Sequence, residues 1–492
     1  MILQSTSPLP PPTRVERGDE WVSKTDLNRY YRCPYAYSLL YRGEIRPDQM
    51  VDGYTVLLMQ EGMAFHEVVV AAEVAAGAEL MPAKVLENPN LLIYGIPDGI
   101  RNTLAAELRG LEAMVPVEIK WHGQVQQLDQ LELAFYWLLL EPERTADSRP
   151  HGVLILHRDG AQVEVEVDIP VARIEQVRQL LEDIRRARRE PTEPRICGCH
   201  VCSTVRRDEV RRLTAERQDV SLLLGVGYSR AAQLGKLGIT SYTQVAERDP
   251  LELTLAMRQV GARSLGVEEV IRWQHHARSY LTGQAVLFGH PLSLSDTYWV
   301  LDLEYLTPPW GEHIYLAGVL LVEPLATPHL TQVWAENGKD GERRLLLSIT
   351  ELFAHRPELP VVTWAGHCAD VPWLFKAAAR QGLPVPGGPG MNWEPGRHLD
   401  LYLWAVRSLR LPTPEPGLKE MASYFGISYG SDVHGGTEAQ LLYLNWVESR
   451  SRIKRQRLQK RLLAYNRDDL DALAQVVGRF RALSSAVEPS DL

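Results

Sequence analysis

Asp302-Leu303-Glu304 falls within an apolar run that begins at Trp299. On a β-strand, residues i and i+2 point to the same face. Two like charges on one buried face are costly unless a cation neutralises them. Asp370 follows a second apolar run, and Tyr465 and Asp469 stand at helical i, i+4 spacing. Four carboxylates offer hard oxygen donors, which suit Mg²⁺ or Mn²⁺. Two such ions about 3.5–4 Å apart meet the needs of phosphodiester hydrolysis, namely a nucleophile, an in-line approach and a stabilised leaving oxygen. The Tyr465 hydroxyl would orient the attacking water.

A second set lies some two hundred residues earlier. Glu118 and Lys120 share a face of an apolar strand, Asp98 ends the neighbouring run Gly95-Ile96-Pro97, and His66 closes Gly62-Met63-Ala64-Phe65. Asp98, Glu118 and His66 make a cation cage, beside which Lys120 would position water and stabilise developing charge. Cys197, Cys199 and Cys202 form a third group with the close spacing of a metal site. Gly225-Val226-Gly227 is a fourth feature, a glycine turn whose backbone amides would face a phosphate at a helix N-terminus.

These side chains need elements to carry them. Strands are expected over Leu91 to Ile96, Val115 to Ile119, Val153 to His157 and Val163 to Ile169. A helix follows over Val171 to Arg188, ended by Pro191 and Pro194. Leu222 to Pro250 reads as two short helices with the Gly225-Val226-Gly227 turn between them. From residue 283, strands at Tyr298 to Leu303, Ile314 to Val322 and Val361 to Trp364 alternate with helices, and Pro384 to Gly396 is a loop. The fold expected is α/β multidomain. Cys368 is expected to be a small buried residue, and Asp400 either supports the carboxylate cluster or caps a helix.

The 492-residue chain suits two or three domains, and its 45% hydrophobic and 23% charged content is that of a soluble globular protein. The proline-rich stretch Pro8 to Pro12 has no charged-then-apolar signal pattern. No run approaches a membrane span; Leu138 to Leu140 sits in a short amphipathic segment. Five cysteines, three within 197–202, point to a metal site rather than a disulfide framework, so a cytoplasmic protein with no membrane partner is expected. The net charge of -9 gives no support for nucleic-acid binding by bulk electrostatics and does not exclude it, because a nuclease gathers carboxylates at its metals and places basic residues locally. Two local basic runs, Arg185 to Arg189 and Arg450 to Arg461, are either contact patches or solvated helix faces.

The C-terminal motifs resemble the DEDD exonucleases of the ribonuclease H-like superfamily, in the tyrosine variant and its YprB-like branch. VLDLE (300–304), TWAGHCADVPWL (363–374), RHLDLY (397–402), GLKEMASYFGI (417–427) and LAYNRDDLDAL (463–473) follow the family's order. Ala365 departs from it, since asparagine is common there, and a substrate contact is thereby in doubt. Residues 20 to 205 resemble the RecB-like PD-(D/E)XK nucleases. That resemblance implies His66, Asp98 and Glu118 as metal ligands and Lys120 as the catalytic lysine. Glu132 stands where the family has a glutamine four residues before a tyrosine, here Tyr136. These nucleases often carry a 4Fe–4S cluster. Cys33, Cys199 and Cys202 match its ligands and the last is missing, which leaves Cys197 or His200, a zinc ion, or no metal. LLLGVGYSRAAQLGKLGI (222–239) resembles a helix-hairpin-helix module.

The resemblances imply three parts: a PD-(D/E)XK restriction-endonuclease-like core over 1–205, a small helical hairpin module over 206–282, and a ribonuclease H-like α/β domain over 283–492. The expected activity is Mg²⁺- or Mn²⁺-dependent hydrolysis of DNA, exonucleolytic and 3′-to-5′, in DNA repair or processing. Without a Walker A motif, unwinding would fall to a helicase partner. The rivals are an RNA-processing exonuclease and a nucleic-acid-binding adaptor with degenerate sites.

Overall fold

The computed structural model describes residues 18–75, 85–102, 114–143, 149–158, 161–307, 311–336, 338–386 and 397–485. Most of the expected loop Pro384 to Gly396 lies outside them. The chain forms two compact units, Met1–Leu213 and Thr214–Leu492.

The first unit opens with β1 (Val22–Ser23), α1 (Lys24–Arg32), α2 (Pro34–Tyr41) and α3 (Gly53–Ala75). Ser23 caps α1 through a reciprocal bond with Asp26, and Cys33 caps α2. Then come β2 (Leu86–Asn88), β3 (Ile93–Gly95), β4 (Gly99–Asn102), β5 (Met114–Lys120), α4 (Gln127–Leu139), β6 (His151–Arg158), β7 (Ala161–Asp168) and α5 (Val171–Arg189). Strands β4 to β7 form one sheet in chain order, with β5 and β6 parallel and both outer pairs antiparallel.

The period-two alternation of β5 decides which side chains meet. Val115, Val117 and Ile119 pack on Val69 and Phe65 of α3, while Glu118 and Lys120 alternate with them. Leu131 to Leu139 of α4 are all buried, Glu132 included, so the segment expected to be amphipathic is a core helix. The basic run ending α5 is divided: Arg186 and Arg189 are exposed, whereas Arg185 and Arg188 turn inward. Arg185 bonds the carbonyls of Glu20 and Leu91, and Arg188 pairs with Asp26 and Tyr37.

Helix α6 (Arg207–Glu216) leads to a 3-10 turn at Val220–Leu222 and then α7 (Tyr228–Lys236), α8 (Tyr242–Glu247), α9 (Pro250–Gln259) and α10 (Val267–Thr282). The element before Gly225 is thus a 3-10 turn rather than the expected helix. Helices α7 to α10 fall within the second unit. His276 of α10, for example, bonds the Thr413 carbonyl at 3.1 Å.

The second unit's main sheet follows β8 (Val286–Leu287). Its strands are β9 (Tyr298–Leu306), β10 (His313–Val322), β11 (His329–Trp334), β12 (Val361–Thr363) and β13 (His398–Asp400), in the order β11-β10-β9-β12-β13. β9 to β11 run antiparallel, and β12 and β13 are parallel to β9. Helices α11 (Gly338–His355) and α12 (Asp370–Gln381) cover one face, where Leu301 and Leu303 meet Leu345 and Leu374. After α13 (Leu401–Ser408), α14 (Leu418–Tyr424) and α15 (Gly436–Glu448), the long α16 (Arg452–Ser485) packs Leu470 and Val477 near Val300 on the other face. Asp302 and Glu304 alternate onto that second face.

Candidate active sites

In the second unit, Asp302 and Glu304 project from the central strand β9 toward α16. Oxygens of Asp302, Glu304 and Asp469 all lie within 4.8 Å of one another. Asp370, the first residue of α12, accepts the Leu303 amide at 3.2 Å. Glu304, Asp370 and Asp469 are buried and Asp302 half-buried. Burial, then repulsion from Asp469 and Asp370, pushes Asp302 well above the carboxylate range. Glu304 is raised in the same way. Burial lifts Asp370 to about 7 and Asp469 to about 6, the latter moderated by Lys419 and the Tyr465 hydroxyl. Crowded acids of this kind are unfavourable as anions unless cations neutralise them, and their all-oxygen donor set fits hard divalent ions.

Three supporting residues join the acids: Asn466 and Lys419, which fall inside the quoted motifs without being singled out there, and Gly318, which no motif contains. Asn466, next to Tyr465, donates to Asp302 Oδ2 at 2.6 Å while its Oδ1 accepts from Gln332 at 2.8 Å. Gly318 of β10 lies directly opposite Asp302. A Cβ there would stand 3.0 Å from Asn466 Cγ and nearer still to its Oδ1, so the glycine makes room for the Asn466–Asp302 bond. Lys419 places its ammonium 4.9 Å from the Tyr465 ring centre and donates to the Val433 carbonyl at 3.1 Å. Burial depresses its pKa, partly offset by Asp469 and Glu304.

Asp400 caps α13 through the Leu403 amide at 3.2 Å. It also accepts the amides of Ala365 at 3.1 Å and His367 at 3.0 Å, fixing the loop that enters α12. Ala365 has φ of 57°, the left-handed region. Asparagine tolerates that region better than alanine, which gives a backbone reason for asparagine at this position beside any substrate contact. Cys368 corrects the expectation of a buried residue: it is exposed, with Sγ 2.9 Å from His367 Nε2. The loop leaves no apolar cover over it.

In the first unit, His66 Nε2 lies 3.3 Å from Asp98, whose other oxygen accepts the Ile119 amide at 2.9 Å. Glu118 is fully buried and meets Lys120 at 2.9 Å. Lys24 at the start of α1, unmarked by any motif, reaches the same carboxylate at 3.0 and 3.2 Å. Burial opposes both ammonium charges, but Glu118 and Glu132 outweigh it and hold the two lysines above their usual range. Glu132 pairs with Lys120 and accepts from Asn28. Tyr136 donates to the Ile96 carbonyl at 2.7 Å. This site sets two lysines, Lys24 and Lys120, against its acids, where the C-terminal one sets Lys419 beside four.

The four cysteines also converge, their sulfurs within 4.8 Å of one another, with Cys197 rather than His200 as the fourth member. At the glycine turn, Gly225 has φ of 87° and its carbonyl accepts from Arg230 at 2.8 Å. Gly227 caps α7 with extended backbone.

Residues 300–481 match the family model of the RNase_H superfamily. This stretch is a ribonuclease H-like domain. No curated protein matches the chain. Among solved structures, the chain is similar to SSO0001, with 20% identity over 34% of this chain and 76% of that one, at a TM-score of 0.24. It is also similar to the family B DNA polymerase of the hyperthermophilic archaeon Pyrobaculum calidifontis, with 17% identity over 39% of this chain and 25% of the polymerase, at a TM-score of 0.28. No helix among the described residues is long and apolar enough to cross a membrane.

Proposed function

We propose that the protein is a divalent-metal-dependent nuclease that hydrolyses DNA phosphodiester bonds, working exonucleolytically from 3′ ends in the ribonuclease H-like domain. The observation that carries this reading is the convergence of Asp302, Glu304 and Asp469 oxygens within 4.8 Å, beside Asp370. Those four acids would hold Mg²⁺ or Mn²⁺, which supply charge neutralisation for the attacking water and the departing oxygen.

The chain's own groups do the positioning. Tyr465 keeps its proton, because burial and the nearby Glu304 and Asp469 push its pKa far up. A neutral hydroxyl beside Asp469 can orient a water without adding charge. Asn466 fixes the Asp302 rotamer, and Asp400 fixes the turn that presents Asp370. The Lys419 ammonium offers a cation to a phosphate oxygen next to the acids.

The N-terminal set is assigned as a second, RecB-like nuclease centre with Asp98, Glu118 and His66 as ligands and Lys120 as its catalytic lysine. Its support is the order α3, antiparallel β4–β5, α4 and parallel β6 around those residues. The Gly225-Val226-Gly227 turn is assigned a sequence-independent phosphate contact, and unwinding is left to a helicase. Calorimetric titration with Mn²⁺ tests the principal site. Wild type should bind with Asp302→Asn lowering affinity at least tenfold, while binding unaffected by Asp302→Asn in a folded protein would reject the assignment.

A further inference from the structure

The four-cysteine site has a size as well as a composition, and the size discriminates between ligands. Cys33 comes from the junction of α1 and α2; the other three follow α5, more than 160 residues later. Their sulfurs stand 3.6 Å apart for Cys33 and Cys202, 3.7 Å for Cys33 and Cys197, and 3.4 Å for Cys197 and Cys199. A tetrahedral ion with metal–sulfur bonds of about 2.3 Å sets sulfur–sulfur edges of about 3.8 Å. In a four-iron cluster each thiolate binds a different iron, which holds the sulfurs roughly 6 Å apart. A disulfide requires about 2.05 Å, and all four cysteines are free.

We propose that Cys33, Cys197, Cys199 and Cys202 bind one tetrahedral ion of the zinc class, and that this chain has no place for the four-iron cluster its RecB-like resemblance implies. Two backbone donors point at the sulfurs: the Ala36 amide to Cys33 at 3.3 Å and the Cys202 amide to Cys199 at 3.4 Å. N–H donors of this kind stabilise thiolates. The surroundings are apolar, with Leu39, Ile45, Val201 and Val210 packed around buried Cys33 and Cys202. Widening the sulfurs to cluster separations would break that packing. Four thiolates close the coordination sphere, so the ion is structural. It fixes the C-terminal end of α1, the helix that brings Lys24 and Asn28 to the RecB-like residues.

The test is metal and acid-labile sulfide analysis of the full chain, produced and purified anaerobically in medium holding both iron and zinc. The expected result is one zinc per chain, no labile sulfide, and loss of that ion in Cys199→Ser with full retention in Asp302→Asn and Cys368→Ser. Replacement by Co²⁺ should give the visible absorption of a tetrahedral thiolate site. Four irons with labile sulfide in wild type would overturn the proposal, as would a folded wild type that retains no metal or keeps its zinc in Cys199→Ser. The decisive readings come from wild type, so a variant that fails to fold does not blunt them.

Discussion

Gly318→Ala is a one-methyl change whose consequence can be followed from strand to site. The added Cβ would stand 3.0 Å from Asn466 Cγ and closer to Asn466 Oδ1 and Leu470 Cδ1. Overpacking of a tight core costs about 1–3 kcal/mol. If Asn466 gives way, its 2.6 Å bond to Asp302 is lost. With Mn²⁺ bound and Asp302 ionised, that hydrogen bond to a charged group is worth about 1.5–3 kcal/mol. The sum, about 2.5–6 kcal/mol, should lower the melting midpoint of the second unit by about 5–20 °C. Mn²⁺ affinity should drop roughly 10–100-fold, as when a partner of a metal ligand is removed. Scanning calorimetry and Mn²⁺ titration read the two effects. In an Asn466→Ala background the same change should cost less than in wild type, because the nearest obstacle is gone. Wild-type melting and Mn²⁺ affinity in Gly318→Ala would refute the reasoning.

The remaining predictions concern pH, the entry loop and the residues around Glu118. Because burial raises Asp370 to about 7 and Asp469 to about 6, the folded chain keeps protons that the unfolded chain has released above about pH 4. Their contribution to stability should therefore fall as pH rises, on the order of 1 kcal/mol per pH unit for each group, up to about 6 for Asp469 and about 7 for Asp370. Thermal melts in chelator across pH 5–8 should show that decline, and Mn²⁺ should reverse it at the upper end. Ala365→Asn should stabilise the protein by about 0.5–1 kcal/mol by relieving a left-handed alanine, read from the urea midpoint; destabilisation would contradict the backbone explanation. Lys24→Met should cost about 3 kcal/mol by stripping a partner from buried Glu118, measured by urea unfolding in chelator, with much of the loss restored by Mn²⁺.

Carboxylates in apolar strands announce themselves, because burying charge on a period-two face makes no sense without a counter-ion. For that reason Asp302, Glu304, Glu118 and Lys120 were legible with their strands, which in the structure begin and end within about three residues of expectation. The partners that act across long chain separations were not. Lys24 meets Glu118 over 94 residues, and its only trace in the sequence is the excess of acid at Asp98, Glu118 and Glu132. Gly318 matters through β10–β9 register and Asn466 through the packing of α16 on β9, neither of which a local pattern encodes. Cys368 was misjudged because a cysteine's usual burial says little about a loop held open by Asp400. The 3-10 turn before Gly225 was hidden because apolar Leu222 to Leu224 suit a helix equally well.

The central claim is that the ribonuclease H-like acids form a working nuclease centre. Mn²⁺-dependent degradation of 3′- and 5′-labelled single-stranded DNA, with matched RNA, should be measured for wild type, Asp302→Ala, Lys120→Ala and the double variant. Stepwise 3′-to-5′ loss of DNA that Asp302→Ala abolishes and Lys120→Ala spares is the predicted result. Undiminished 3′-to-5′ degradation in folded Asp302→Ala, or an inert wild type loaded with Mn²⁺, would contradict it.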